Sequence, residues 1–302
     1  MKSLYKQFSA ALGKKTKYGQ SKMDDRKRAQ MKNTASIYSY KTFQAYLAAC
    51  KRFCAWLAAV YPDVMTMDEA VDYVPDYLWQ CREDGLSAWT VSLYASALAK
   101  AYGCQSTDWG VSVERRREDI KRSRLPAARD YGFSEANNRD FVTFCRGTGV
   151  RREDLEYNVA AGNFAHRDGF YWMRVLAGKG GRARWAIVLP DLSKEVERIV
   201  DEAEDARGPQ GRLFARVPTH ADIHGYRRDY AQRLYAYCAE NPLFCAHLQD
   251  ILQAYPKAKS EEYYGRGIAH GAVWNRQALA VVSACLGHGP DRAETVVNHY
   301  LR

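Results

Sequence analysis

The chain has 302 residues, 47% of them hydrophobic, and a net charge of +10. That length suits two ordinary domains, each with its own core, and the charge points to a polyanionic partner, with DNA, RNA and anionic membranes as the classes to separate. No stretch approaches the roughly 18 uninterrupted apolar residues of a membrane helix, the lysine-rich start lacks the apolar run of a secretory signal, and the eight cysteines form no CxxC pair, which favours reduced thiols in a cytosol.

Residues 1 to 34 read as a polar, basic arm. Lys14, Lys15, Lys17, Lys22, Arg26, Lys27, Arg28 and Lys32 are opposed by Asp24 and Asp25. Such a segment is either a solvated tail or an arm lying along phosphates, with Lys14, Lys15 and Lys17 as contacts. Residues 35 to 104 carry helical patterning. Ile37, Tyr40, Phe43, Leu47, Cys50, Cys54 and Leu57 recur at helical spacing, with Cys50 and Cys54 as packing residues. Thr66 and Glu69 form a capping-box start for a second helix with Val71, Val74, Leu78 and Cys81. Ser87 caps a third that carries Val91, Tyr94, Leu98 and Tyr102. Short loops between them predict a small bundle. Residues 105 to 130 read as a basic helix and linker, where Arg115, Arg116, Arg117, Lys121 and Arg122 precede Pro126.

From Phe133 the pattern is mixed. Ser134 is placed to cap a helix ending at Gly147. Two β-rich runs, Phe170 to Leu176 and Arg184 to Leu189, flank a glycine-rich tip and predict a hairpin. Leu192, Val196, Ile199, Val200 and Ala203 make a helix, and another runs from His224 to about Cys238. Residues 240 to 274 read as irregular. Asn275 starts a helix stopped by Gly287, and Asp291 with Glu294 forms a capping box for a last helix ending at Tyr300.

Several residues in this second part carry polar chemistry. Arg151 follows a glycine turn, and Asp154, three residues on, can orient a guanidinium from the same helical face. Lys179 sits between Gly178 and Gly180 at the hairpin tip, where it can reach a ligand and give up a proton. His224 and Arg227 lie at i and i+3 on one helical face. His288 follows Leu286-Gly287, and Tyr300 offers a hydroxyl nucleophile. An arginine fork suits a phosphate, because it meets two oxygens at once and does not lose its charge. Each signal alone is weak. A zinc site on His224, His270, Cys285 and His288 matches no zinc spacing.

The ordered set is more specific. Thr148-Gly149-Val150-Arg151 with Asp154, Gly178-Lys179-Gly180 between strands, His224 to Arg227, Leu286-Gly287-His288 and then Tyr300 resembles the tyrosine recombinase (phage-type integrase) family. The likeness extends to Tyr38 to Leu57 and Gly85 to Val91, and covers about residues 35 to 302. It implies a mainly α chain with a small β-sheet: a helical, SAM-like core-binding domain over 35 to 104 and a mixed α/β catalytic domain over 131 to 302, with an insertion near 240 to 274. It implies that Tyr300 attacks a DNA phosphate to give a 3′-phosphotyrosyl link. Arg151 and Arg227 would hold the phosphate, Lys179 would act as the acid, and His224 and His288 would assist. Neither metal nor cofactor is implied. The partners would be double-stranded DNA, further copies of the chain in a tetramer on two sites, and accessory DNA-bending or directionality proteins, in a cytoplasmic, nucleoid-associated setting. Integration or excision of a mobile element is the leading role. A resolvase, a topoisomerase-like enzyme and a catalytically inactive DNA-binding regulator are the alternatives. Two spacings are longer than the family's, Arg227 to His288 and His288 to Tyr300. Only Leu301 and Arg302 follow the tyrosine, so either another element links protomers or the links are weak.

Overall fold

The computed structural model describes residues 3–30, 34–111, 132–178, 181–265 and 270–301. The chain divides into two compact units, Met1–Lys121 and Arg122–Arg302. The division falls within the stretch expected to be a linker. Arg115, Arg116, Arg117, Lys121 and Arg122 lie outside the described residues, as does Lys179.

Among the described residues the regular elements of the first unit are helices: α1 (Leu4–Gly13), α2 (Lys22–Ala29), α3 (Tyr40–Val60), α4 (Met67–Ala70), α5 (Val74–Glu83) and α6 (Ala88–Tyr102). The predicted caps at Thr66 and Ser87 are present, and Ser39 adds one. The Thr66 hydroxyl accepts from Glu69 N–H while the Glu69 carboxylate accepts from Thr66 N–H, and Ser39 and Ser87 cap α3 and α6. Each such cap is worth about 1 kcal/mol.

The basic arm needs correction. Phe8 and Leu12 of α1 are fully buried, beside Phe53, Leu57 and Leu98. Leu4, Phe8 and Leu12 share one helical face, a stripe that the lysines around it obscure. The next segment is fixed as well. Ile37 N–H donates to Lys15 O and Lys17 N–H to Ile37 O. Asp25 on α2 accepts from Lys17 (3.1 Å), Arg28 (2.9 Å) and the Tyr38 hydroxyl (2.8 Å).

The second unit begins with α7 (Arg139–Thr148) and α8 (Arg152–Tyr157). A three-stranded antiparallel sheet follows, β1 (Phe164–Arg167), β2 (Phe170–Gly178) and β3 (Arg182–Ile187), with β2 central. The hairpin was expected; the four-residue β1 was too short to show an alternation. Then come α9 (Ser193–Arg207) and α10 (Ile223–Glu240). Residues 240 to 274, expected to be irregular, hold α11 (Pro242–Leu252) and a two-stranded sheet of β4 (Glu262–Tyr264) and β5 (Val273–Asn275). Pro242 suits the first helical turn, and Cys245 and Leu248 of α11 are buried. Tyr263 and Tyr264 belong to β4 behind it. The chain closes with α12 (Arg276–Cys285) and α13 (Ala293–Tyr300). The predicted Asp291 cap is absent, because its carboxylate accepts from Lys257 N–H at 2.8 Å instead.

The core of this unit runs from Phe144 and Val150 through Trp172 and Ile187 to Leu234, Val281 and Val297. It places the start of α8, the first turns of α10 and the ends of α12 and α13 around one point.

Candidate functional site

The site is organised by the end of α12. Asn275 caps its start, accepting from Ala278 N–H at 2.9 Å, and residues Ala278 to Ser283 are buried. A helix leaves its last carbonyls without partners inside the helix, and here they collect guanidinium groups. Arg151 Nη2 donates to Leu286 O at 2.7 Å, Arg227 Nη2 to the same oxygen at 2.5 Å, and Arg184 Nε to Cys285 O at 3.1 Å. The negative end of the helix dipole favours cations at this position.

Arg227 is 1% exposed. Its donors go to Leu286 O, to Gly149 O and to the Tyr300 hydroxyl (Nε to Oη 3.5 Å). Two of the acceptors are backbone carbonyls, and among the described residues no carboxylate pairs with it. Burial pulls its pKa down to about 10, so it remains a cation at neutral pH. A buried charge without a counter-charge costs several kcal/mol.

Arg151 precedes α8, directly after the end of α7. The residue that stops α7 is Gly149 (φ +59°), two beyond the expected Gly147. A Cβ on Gly149 would lie 2.3 Å from the Tyr230 ring, so only glycine permits both the left-handed turn and this packing. Arg151 Nη1 stands 3.7 Å from Asp154 Oδ2. Burial, and then the Arg184 charge, lower the Arg151 pKa.

Tyr300 ends α13 and is 5% exposed. Its hydroxyl is 3.3 Å from His288 Nε2. The Tyr300 ring lies 5.6 Å from the His224 ring and 5.8 Å from the His288 ring, centroid to centroid, and Arg227 Cζ stands 5.6 Å from the Tyr300 centroid. Burial depresses the His288 pKa to about 4, assisted by Arg227, Arg151 and Arg184. Its imidazole is therefore neutral at neutral pH and has a lone pair with which to receive a proton.

Arg151, Arg227, His288 and Tyr300 are thus gathered at one point, with His224 beside the tyrosine ring and Asp154 behind Arg151. The predicted DNA contacts in the first unit are more divided. Lys14 is exposed. Lys15 Nζ donates to Lys100 O at 2.5 Å and Ala101 O at 3.3 Å, and Lys17 pairs with Asp25. Sequence reasoning missed Arg184. Its signal was an arginine in a strand at a position whose neighbours across the ladder are apolar: Arg184 pairs with Val175 and Ala186 with Met173, on the face turned to the core. Among the described residues no group of three or more His, Cys, Asp or Glu could hold a metal ion.

No family model matches the sequence, and no curated protein matches it. Solved structures do. The XerH site-specific recombinase bound to palindromic difH substrate, in a post-cleavage complex, has a TM-score of 0.55 at 12% identity, over 99% of this chain and 93% of that one. A pre-cleavage complex of XerH with difH has a TM-score of 0.48 at 13% identity, over 99% and 92%. The Tn1549 transposon integrase with transposon right end DNA has 0.40 at 13%, over 82% and 90%. The first of these likenesses establishes that the chain has the tyrosine recombinase fold.

Proposed function

We propose that this chain, built on the tyrosine recombinase fold, is a site-specific recombinase that cuts and rejoins duplex DNA through Tyr300. The observation that carries the reading is Arg227, a buried cation with no carboxylate of its own, whose Nε meets a tyrosine hydroxyl at 3.5 Å. An incoming phosphate would supply the missing counter-charge. Arg151, donating to the same Leu286 O, would share it.

The positions of Tyr300, His288, Arg151 and Arg227 support the following chemistry, with Lys179 as the acid that the family resemblance implies. Tyr300 Oη attacks phosphorus, and its proton passes to His288, whose neutral ring is 3.3 Å away. The P–O5′ bond breaks, the departing oxygen takes a proton from Lys179, and the 3′ phosphate stays on the tyrosine. Arg151 and Arg227 stabilise the charge that builds on the non-bridging oxygens, a contribution of about 3 kcal/mol for each well-placed donor. His224, beside the tyrosine ring, would hydrogen-bond the phosphate. A 5′ hydroxyl from a partner strand reverses the step, so the bond energy is kept. Four protomers on two DNA sites would complete an exchange, with integration or excision of a mobile element as the leading role. The Tyr300 hydroxyl lies beside its own chain's arginines, which supports cleavage by the protomer that holds the phosphate.

A pool of nicked duplexes with randomised sequence, incubated with the protein in excess EDTA and run on a denaturing gel, tests this. The expected result is a protein–DNA adduct that Tyr300→Phe lacks although it binds the pool as well as wild type. An adduct of undiminished yield in Tyr300→Phe refutes the assignment.

A further inference from the structure

Asp154 is 1% exposed and faces two guanidinium groups with the same oxygen. Oδ2 is 2.8 Å from Arg184 Nη2 and 3.7 Å from Arg151 Nη1. The first distance is that of a strong charge-assisted hydrogen bond; the second is too long for one. Asp154 is therefore bound to Arg184, and Arg151 keeps only a loose ion pair. The Arg151 fork is turned instead to Leu286 O, a neutral group, so only that loose pair offsets its charge.

Arg184 is built into this place. Its side chain is 7% exposed, and Nε is fixed by Cys285 O. Two glycines make its slot. A Cβ on Gly178 would lie 2.6 Å from Arg184 Nη1, and a Cβ on Gly287 would lie 2.8 Å from its Cδ. Gly287 also has φ +72°, so the turn before His288 needs glycine on two counts. A strand, a helix end and two side-chain-free positions thus converge on one arginine that has no place among the groups that meet Tyr300.

We infer that Arg184 is a positioning residue: by occupying Asp154, it prevents that carboxylate from closing on Arg151 and neutralising the cation meant for phosphate. The inference rests on the reading of Arg151 and Arg227 as a phosphate clamp. Without Arg184, Asp154 has one cation left within reach and about an ångström of free approach to it. Attraction between unit charges rises as their separation falls, and it is strongest where water is excluded. The pair closes and Arg151 is lost to the clamp. Asp154 is thus harmful to binding when Arg184 is missing, which a residue that merely supports the fold would not be.

Orthovanadate, a stand-in for the five-coordinate phosphate, is the probe, titrated into the full-length protein by calorimetry. Arg184→Gln should weaken binding by about tenfold, the scale of coupling between neighbouring charges. Adding Asp154→Asn to that variant should restore affinity to within about threefold of wild type, again on that coupling scale. Asp154→Asn alone should bind at least as tightly as wild type, and Arg184→Lys, which can still hold the carboxylate, should fall between wild type and Arg184→Gln. The single Asp154→Asn variant decides the matter even where Arg184→Gln does not fold. Arg227→Ala separates the two claims. If it binds vanadate as wild type does, the clamp reading fails and the inference with it. If it loses binding while Asp154→Asn weakens affinity, or while the double variant remains as weak as Arg184→Gln, the role of Arg184 alone is overturned.

Discussion

Both units set cations against backbone carbonyls near a helix end, and the two arrangements do opposite things with the charge. In the first unit, Lys15 donates to Lys100 O and Ala101 O in the last turn of α6, and Lys100 donates to Thr34 O. Lys17 and Arg28, both exposed, pair with Asp25, which is itself buried. Water screens these groups, so each acts as a fastener of modest strength. In the second unit, Arg227 also donates to carbonyls, but it does so at 1% exposure. Carbonyl oxygens satisfy its hydrogen bonds without cancelling its charge. Burial, and not the hydrogen-bond pattern, turns a fastener into a site that calls for an anion.

Exchange of each cation for methionine sharpens that contrast. Arg227→Met refills the buried space with a flexible side chain of similar reach, so the fold should persist. DNA cleavage should fall by at least about a hundredfold, the loss of one preorganised donor of about 3 kcal/mol. Arg227→Lys should fare little better, since an ammonium cannot make the forked contact. A cleavage rate within a few-fold of wild type in either variant would place the phosphate elsewhere.

The next effect is on stability. Phe8→Ala should cost about 3 kcal/mol or more in denaturant unfolding, as for other buried aromatics. A change below about 1 kcal/mol would return residues 1 to 34 to the status of an arm.

The third is a pH dependence. The folded pKa of His288 lies near 4, below its ordinary value of 6.5. Between those values the unfolded chain binds the proton and the folded one does not. Stability contributed by the neutral ring is thus present above about pH 6.5 and is lost as pH falls toward 4. In His288→Gln the unfolding free energy should vary less with pH across that window. Parallel curves for the two proteins would show that the ring is not held neutral.

The smallest effect belongs to the first unit. Lys15→Met should lower stability by about 0.5 to 1 kcal/mol, the worth of a cation at a partly buried helix end, and leave cleavage unchanged. A cleavage defect there would erase the distinction between the two regions.

How much of this was legible follows the type of signal. Caps at Thr66, Ser87 and Asn275 depend on neighbours in sequence and are present as read. The Arg151, Arg227, His288 and Tyr300 grouping was legible through residue order and local setting. α1 was not, because Lys14, Lys15 and Lys17 drew attention from the Phe8 and Leu12 stripe beside them. α11 was hidden by the turn-rich stretch around Tyr263 and Tyr264 that follows it. Arg184 was invisible for another reason. Its meaning comes from Asp154, Cys285 and two glycines far apart in the chain, and only the folded register brings them together.

The central claim is that the hydroxyl beside Arg227 is the group that takes the phosphate. The most direct measurement is to digest the protein–DNA adduct with protease and nuclease and to sequence the modified peptide by mass spectrometry. A nucleotide joined through its 3′ phosphate to Tyr300 is expected, in the peptide that also contains His299. A nucleotide on Tyr263, Tyr264 or any other side chain would contradict it.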